Sequence, residues 1–484
     1  MLHVFSGVWA LLLGIVLIML GNGMHFTLIG LRGGIEEFSS AELAIVTSGY
    51  FIGFLSGARF TPILIRRVGH VRVFAALGSF MSAALISFPL LTDPIAWTLL
   101  RILIGFCMSG IYVVAESWLN NASTNETRGS VLSAYMIAQT LGIIGAQGLL
   151  TLGDAGTSVL FIGASILVSI SFAPILLSVT PAPVVEVARP MSLRALFSGS
   201  PLGTVGIFLL GSIYATQSGM GAVFGTQIGM TASQIALFVA MLFAGALLMQ
   251  YPIGWLSDQM DRRKLIFGAA ALGMVSCVIG WFTGGGLWPL MAAAFFAGGV
   301  TTPLYALLLA HTNDYLDADD MPAASGGLVF TFGLGAISGP LVTGWAMEDL
   351  GPFAFWLVLG TTFAAIALYA LYRMTQRAVT PTDETQSYLS VLPTTSAVAV
   401  EAAGAWAVEQ AEAEAEQAAQ EEAAQEEAAQ EEAAQEEAAQ EEAAQEEAAQ
   451  QEAEKRQAGQ SEAQRKGPGK GPGKGPGKGP GEGG

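Results

Sequence analysis

The stretch Leu247-Leu-Met-Gln-Tyr-Pro-Ile-Gly254-Trp-Leu-Ser-Asp258-Gln-Met-Asp261-Arg262-Arg263-Lys264-Leu-Ile-Phe267 places a short charged break between two apolar runs. Each run is about the 20 residues that a helix needs to cross the hydrocarbon of a bilayer. The pattern therefore reads as two membrane crossings joined by a tight basic hairpin. It recurs along the chain, giving twelve spans at about 8–31, 41–63, 71–91, 95–118, 129–151, 158–178, 202–224, 233–256, 265–283, 287–311, 322–346 and 353–374. The first lacks a basic leader and a small-residue cleavage site, so it is expected to remain as a helix.

Composition agrees: 52% of the 484 residues are hydrophobic and only 12% charged. Through Arg377 there are 14 Lys and Arg against 16 Asp and Glu, a balance of -2, so -16 of the total -18 belongs to the last 107 residues. The acidic character describes a tail. The apolar block excludes a soluble enzyme and leaves no basic face for nucleic acid. Cys107 and Cys277 both lie in apolar runs, with no disulfide framework and no metal-ligand spacing, so no cofactor or metal is expected.

Basic residues are retained on the cytoplasmic side of a membrane. With the N-terminus inside, the inner loops and the end of the last span hold eleven: Arg66, Arg67, Arg72, Arg128, Arg189, Arg194, Arg262, Arg263, Lys264, Arg373 and Arg377. The outer loops hold only Arg32. Both termini are thus expected in the cytoplasm, in a multi-pass protein of a bacterial-type plasma membrane. The Pro181–Pro201 segment divides the spans six and six. A shift of about 193 residues sets Tyr112 on Tyr305, Asn120 on Asn313 and Gly142 on Gly335, the mark of a duplicated six-helix unit. The domains follow: an N-terminal bundle to 180, an inter-bundle loop over 181–200 and a C-terminal bundle over 201–377. A linker and the start of an Ala/Glu/Gln tract cover 378–420, a helical Glu/Ala/Gln tail 421–466, and a disordered Gly-Pro-Gly-Lys end 467–484. The five-residue repeat winds Glu around a helix and builds no apolar face, so the tail is expected to leave the bundles and any cavity untouched.

Gly254 to Lys264 closely resembles the loop motif G-x-L-x-D-x-x-G-R-R-K of the major facilitator superfamily, with Asp261 where the second glycine stands. The first-half counterpart keeps Arg67, Gly69 and Arg72 but has Arg66 in place of the aspartate. Arg101 and Gly105 match the superfamily's arginine followed four residues later by glycine in the fourth helix. The resemblance covers residues 1 to about 377. It implies an all-α membrane protein of twelve helices in two pseudo-symmetric six-helix bundles, a monomer that moves a small molecule by rocking around a central cavity. Spans 1, 4, 7 and 10 line that cavity in the superfamily, and spans 2, 5, 8 and 11 form the interface between halves.

Polar side chains in hydrocarbon must face water or protein, which makes those in the lining spans the cavity candidates. They are Asn22, His25, Arg101, Tyr112, Tyr214, Gln217, Thr302 and Tyr305, with His311 also in the tenth span. Glu116 is the carboxylate well inside a span, open as a proton site or as half of a gate ion pair. Gly21-Asn22-Gly23 is a place where the first helix can loosen. Rows at Gly49, Gly53 and Gly57, at Gly142, Gly145 and Gly148, and at Gly333, Gly335 and Gly339 allow close helix approach, expected between the halves. Two charge gates are expected at the basic end: Arg66 with Asp317, Asp319 and Asp320, and Asp258 with the start of the fifth span beside Arg128. The function this implies is secondary transport of a small molecule, with the bilayer, the solute and H+ as partners. The rival is a non-transporting sensor or anchor acting through the tail. No P-loop is present, and an enzyme ranks third.

Overall fold

A computed structural model of the chain describes residues 2–176, 191–284, 286–316, 320–376, 388, 391–465 and 467. Arg189, Asp317, Asp319, Arg377 and the Gly-Pro-Gly-Lys end beyond Gly467, all named above, lie outside them. The N-terminal bundle comprises α1 (Leu2–Ile35), α2 (Ser40–Val68), α3 (His70–Ser87), α4 (Pro94–Ala122), α5 (Asn125–Leu150) and α6 (Val159–Leu176). A short α7 (Leu193–Gly199) precedes the C-terminal bundle. There the first crossing is composite: α8 (Pro201–Ala215), a π-helical turn (Thr216–Met220) and α9 (Gly221–Gln227). The bundle continues with α10 (Ala232–Ser257), α11 (Arg262–Phe282), α12 (Leu287–Asn313), α13 (Met321–Leu350) and α14 (Ala354–Met374). Among the described residues eleven crossings are long and apolar enough to span a membrane, and the sixth contributes a shorter apolar helix, Val159–Pro174. Finally α15 runs Ala397–Arg465. The chain divides into two compact units, residues 1–411 and 412–484.

Local chemistry sets the helix starts. Ser39 and Glu42 form a capping box on α2, Thr231 and Gln234 one on α10, and Asp93 caps α4 through the backbone N–H groups of Ile95 and Ala96. Arg66, Arg67, Arg72 and Lys264 are exposed at one end of the crossings, called here the basic end. The opposite, far end carries Glu36, Glu42, Asp93 and Glu348.

The glycine rows pack differently from the expectation. Gly49, Gly53 and Gly57 press on α4 of their own bundle: a Cβ at Gly53 would stand 1.9 Å from the Ile102 carbonyl oxygen and one at Gly57 2.5 Å from that of Phe106. Gly335 and Gly339 likewise press on α8, and Gly142 on Val16 and Met19 of α1. Within these rows only Gly333, against Leu55, works between the halves. Close approach is thus used mainly to weld each bundle. Gly21 and Gly23 do not loosen α1, which is continuous. They seat it on α6 and α5, where Cβ atoms would lie 2.9 Å from the Ala164 carbonyl oxygen and 3.1 Å from the Ala146 Cβ.

At the far end the bundles touch directly. A Cβ on Gly30 would meet Ala222 and one on Gly34 would meet Thr226, so α1 and α9 lie backbone to backbone. The Gln227 amide donates to the Ser40 hydroxyl, and the Ala41 N–H to the Glu348 carboxylate at 3.3 Å. At mid-depth the Ser48 hydroxyl donates to the Ile337 carbonyl at 2.8 Å.

Candidate functional site

At mid-depth a cavity lies between the bundles, lined among others by Asn22, Phe26, Tyr50, Tyr112, Tyr214 and Ser218. A second shares Tyr214, Ser218 and Phe243 with it and adds Gln217, Thr301 and Thr302. Asn22, Tyr112, Tyr214, Gln217 and Thr302 are therefore brought together on α1, α4, the α8–π-turn crossing and α12. The Thr301 hydroxyl donates to the Gln217 Oε1 at 3.1 Å, while Gln217 Nε2, Asn22 Oδ1 and the Tyr305 hydroxyl are buried without a hydrogen-bond partner. The π turn carries Gln217 and Ser218, and such turns concentrate at functional sites. No sequence signal marked it.

His25 and Arg101 stand behind this wall and line neither cavity. The Arg101 guanidinium stacks on Phe26 at 4.0 Å and Tyr50 at 4.7 Å, and its Nη1 lies 3.3 Å from His25 Nδ1. Both residues are buried, at 1% and 0% exposure. Among the described residues Arg101 has no carboxylate partner, so two π faces carry its charge. Phe26 and Tyr50, the two rings that carry it, both line the cavity. Tyr305 is packed against Phe332, 5.7 Å between ring centres, away from both cavities. His311 sits at the basic end beside Tyr315, Arg263 and Arg373, not at mid-depth.

Glu116 forms no gate ion pair among the described residues. Its carboxylate accepts from the Tyr135 hydroxyl and from the backbone N–H of Ser396, each at 2.9 Å. Ser396 is one of several post-bundle residues inside the first unit, which corrects the expectation of a tail that leaves the bundles alone. Thr394 lines the mid-depth cavity, and Val391, Ala399, Val400 and Ala403 are buried. The linker is mixed in composition, with Val391, Leu392 and Val398 among its polar residues, and that apolar content was the signal passed over.

The charged hairpin is also rearranged. Asp258 faces no arginine of α5: its carboxylate accepts from the backbone N–H of Tyr388 at 2.9 Å. Arg66 and Asp320 are both exposed and form no ion pair with each other, while Asp317 and Asp319 lie outside the described residues. The buried ion pair of the region is Arg262 with Asp314 at 2.5 Å, an acid that the motif reading overlooked. Arg128 is half-buried with its Nε unpartnered, Gly69 links α2 to α3 at φ +84°, and Gly254 is covered by the Tyr388 ring.

Asp261 explains its own departure from the glycine of the motif. It is the N-cap of α11, accepting from the Arg263 N–H at 2.9 Å while its other oxygen meets the Arg263 guanidinium at 3.1 Å. Burial raises its carboxyl, but the Arg263 side-chain and backbone hydrogen bonds outweigh that and hold it below the ordinary value. Asp261→Ala should therefore cost about 1 kcal/mol. A lowered carboxyl stabilises above its unfolded value of about 4, and that contribution fades only as pH falls further. Unfolding temperatures of the purified pair should differ by a constant amount from pH 5 to 9; a gap that closes within that range would contradict the cap.

Comparison with known proteins agrees with this geometry. The chain is 24% identical over 376 residues to the "Uncharacterized MFS-type transporter YcaD" of Escherichia fergusonii, covering 77% of this chain and 97% of that one. It is 25% identical over 382 residues to an "Uncharacterized MFS-type transporter" of Yersinia pestis, covering 77% and 96%. In fold it resembles the nucleoside transporter NupG, with a TM-score of 0.62 at 16% identity, covering 76% and 98%. It also resembles a bacterial homolog of the human lysosomal transporter Spinster, with a TM-score of 0.59 at 12% identity, covering 84% and 98%. The family model of the Major Facilitator Superfamily matches residues 11–244 and again 202–408, and the chain belongs to that superfamily of membrane transport proteins.

Proposed function

We propose that the protein is a secondary transporter that carries a polar small molecule through the mid-depth cavity by alternating access, with its basic end in the cytoplasm. The observation that carries this is the convergence of Asn22, Tyr112, Tyr214, Gln217 and Thr302 from both bundles, with Asn22 Oδ1 and Gln217 Nε2 buried and unpartnered. Unsatisfied polar atoms inside a membrane protein are costly, and a polar solute supplies the missing partners. The direct contacts at the far end fit a cavity closed toward that side, which the excess of basic residues at the other end makes the outside. A gradient of the solute or of an ion drives the cycle, and Glu116 is the carboxylate available to a coupled proton.

The test is uptake into liposomes of a panel of nucleosides, sugars, amino acids and organic acids. At least one compound should accumulate, and Asn22→Ala with Gln217→Ala should slow its initial uptake about tenfold, the loss of roughly one net hydrogen bond. Undiminished uptake by the double variant would take the cavity off the pathway. Failure of the wild type on the whole panel would count against transport itself.

A further inference from the structure

The segment from Tyr388 to Trp406 enters the basic end and makes one anchor on each bundle. On the C-terminal bundle, Gln250, Gly254 and Asp258 follow one another at four-residue steps and so share a face of α10. Tyr388 occupies that face: the Gln250 amide donates to its hydroxyl at 3.0 Å, its ring covers Gly254, and its N–H meets Asp258. On the N-terminal bundle, the Ser396 N–H meets Glu116 at 2.9 Å. Ser396 precedes the first turn of α15, so the carboxylate faces a helix N-terminus, the end that favours an anion. Farther on, the Trp406 ring lies on Gly129 at the start of α5. Between the anchors, a turn at Leu392–Thr395 pushes Thr394 into the cavity wall beside Tyr112 and Tyr214.

The make-up of these contacts marks this as docking that can be undone. The inserted run Pro393-Thr-Thr-Ser396 is polar, and the anchors named above are three hydrogen bonds, to Tyr388 from Gln250 and to Asp258 and Glu116, with two rings laid on glycines. Meanwhile the direct hydrogen bonds between the bundles among the described residues lie at the far end and at mid-depth. At the basic end, this segment is what spans the two.

From this we infer that Tyr388 and residues 391–406 are an autoinhibitory plug: they occupy the basic-end entrance of the cavity and wedge the bundles apart, and their release frees the entrance and permits the bundles to close there. The inference rests on the proposed transport pathway, since only a pathway gives the wedge something to block. It assigns to Gln250, Gly254 and Asp258 a second task, as the seat of an aromatic residue of the chain's own C-terminal segment.

The test needs no substrate. Cys107 and Cys277 are replaced by alanine, Ser218→Cys is added in the cavity wall, and the full chain in nanodiscs is labelled with a membrane-impermeant maleimide. Tyr388→Ala with Ser396→Pro, which removes one ring and one N–H donor, should raise the labelling rate at least tenfold. Deletion of 388–484 should do the same, and should it not insert, the point pair carries the test. A synthetic peptide of residues 388–406 should slow labelling of the shortened chain again, and a scrambled one should not. Labelling rates within twofold of the full chain's, or equal protection by the scrambled peptide, overturns the plug. Equal rates with uptake intact sink the plug alone. A chain that moves no compound sinks the transport reading and leaves the labelling ratio standing.

Discussion

Gly105→Val protein should fail to accumulate in the membrane, while Gly148→Val should accumulate like the wild type. A Cβ at Gly105 would stand 1.9 Å from the Tyr50 carbonyl oxygen and 2.8 Å from its carbon, and backbone cannot rotate aside as a side chain can. The α2–α4 crossing is reciprocal, since Gly53 meets the Ile102 carbonyl at the same 1.9 Å. Overpacking a core costs about 1–3 kcal/mol, and separating two helix backbones belongs at or above the top of that range. Open space surrounds Gly148, which makes it the control. The duplicated unit repeats the crossing: Gly245 lies 1.9 Å from the Phe295 carbonyl and Gly298 2.2 Å from that of Leu242, measured from their added Cβ atoms. Gly298→Val should fail in the same way. Size-exclusion profiles of fluorescent fusions measure this, and a monodisperse Gly105→Val peak of wild-type height would show that the two helices can part.

The second large effect is expected at Arg101. Arg101→Lys should insert and fold, yet transport at least tenfold more slowly. Lysine keeps the charge but not the planar group that lies on Phe26 and Tyr50, and each such stack is worth about 0.5–2 kcal/mol. Both rings face the cavity, so loosening them disturbs the wall a solute must touch. Arg101→Met should keep the packing and remove the charge, leaving His25 without its neighbour at 3.3 Å. Uptake of whichever solute the panel yields, compared at equal reconstituted protein, decides between them. If Lys and Met variants both transport at the wild-type rate, Arg101 is only filler in the α4 face.

Most of the helical frame was legible because bilayer thickness imposes a length on every crossing, and charged breaks such as Asp258–Lys264 interrupt the apolar runs visibly. Asn22, Tyr112, Tyr214, Gln217 and Thr302 could be named because a polar side chain at mid-span has few places to go. Other features depended on information a linear pattern does not hold. Glycine spacing at Gly49, Gly53 and Gly57 reports close approach but not the partner, and the partner proved to be α4. Arg66 was expected to meet the acids that precede the eleventh span, yet an exposed arginine gains little from pairing in water, and the buried pair of the described residues there is Arg262 with Asp314. Tyr388 and Ser396 were hidden most deeply, because their seats on Gln250, Gly254, Asp258 and Glu116 are built from residues more than a hundred positions away.

The π turn at Thr216–Met220 inserts one residue into a helix that would otherwise run unbroken from Pro201 to Gln227. One added residue offsets everything beyond it by about 100° and 1.5 Å. Before the turn, Gly211 is aimed at the Phe332 carbonyl of α13; after it, Ala222 and Thr226 are aimed at Gly30 and Gly34 of α1. A regular helix could not satisfy both faces at once. The bulge thus acts as a phase shifter, keeping one stretch of the crossing registered to its own bundle and the other to the opposite bundle, with Gln217 and Ser218 at the slip plane between the two registers.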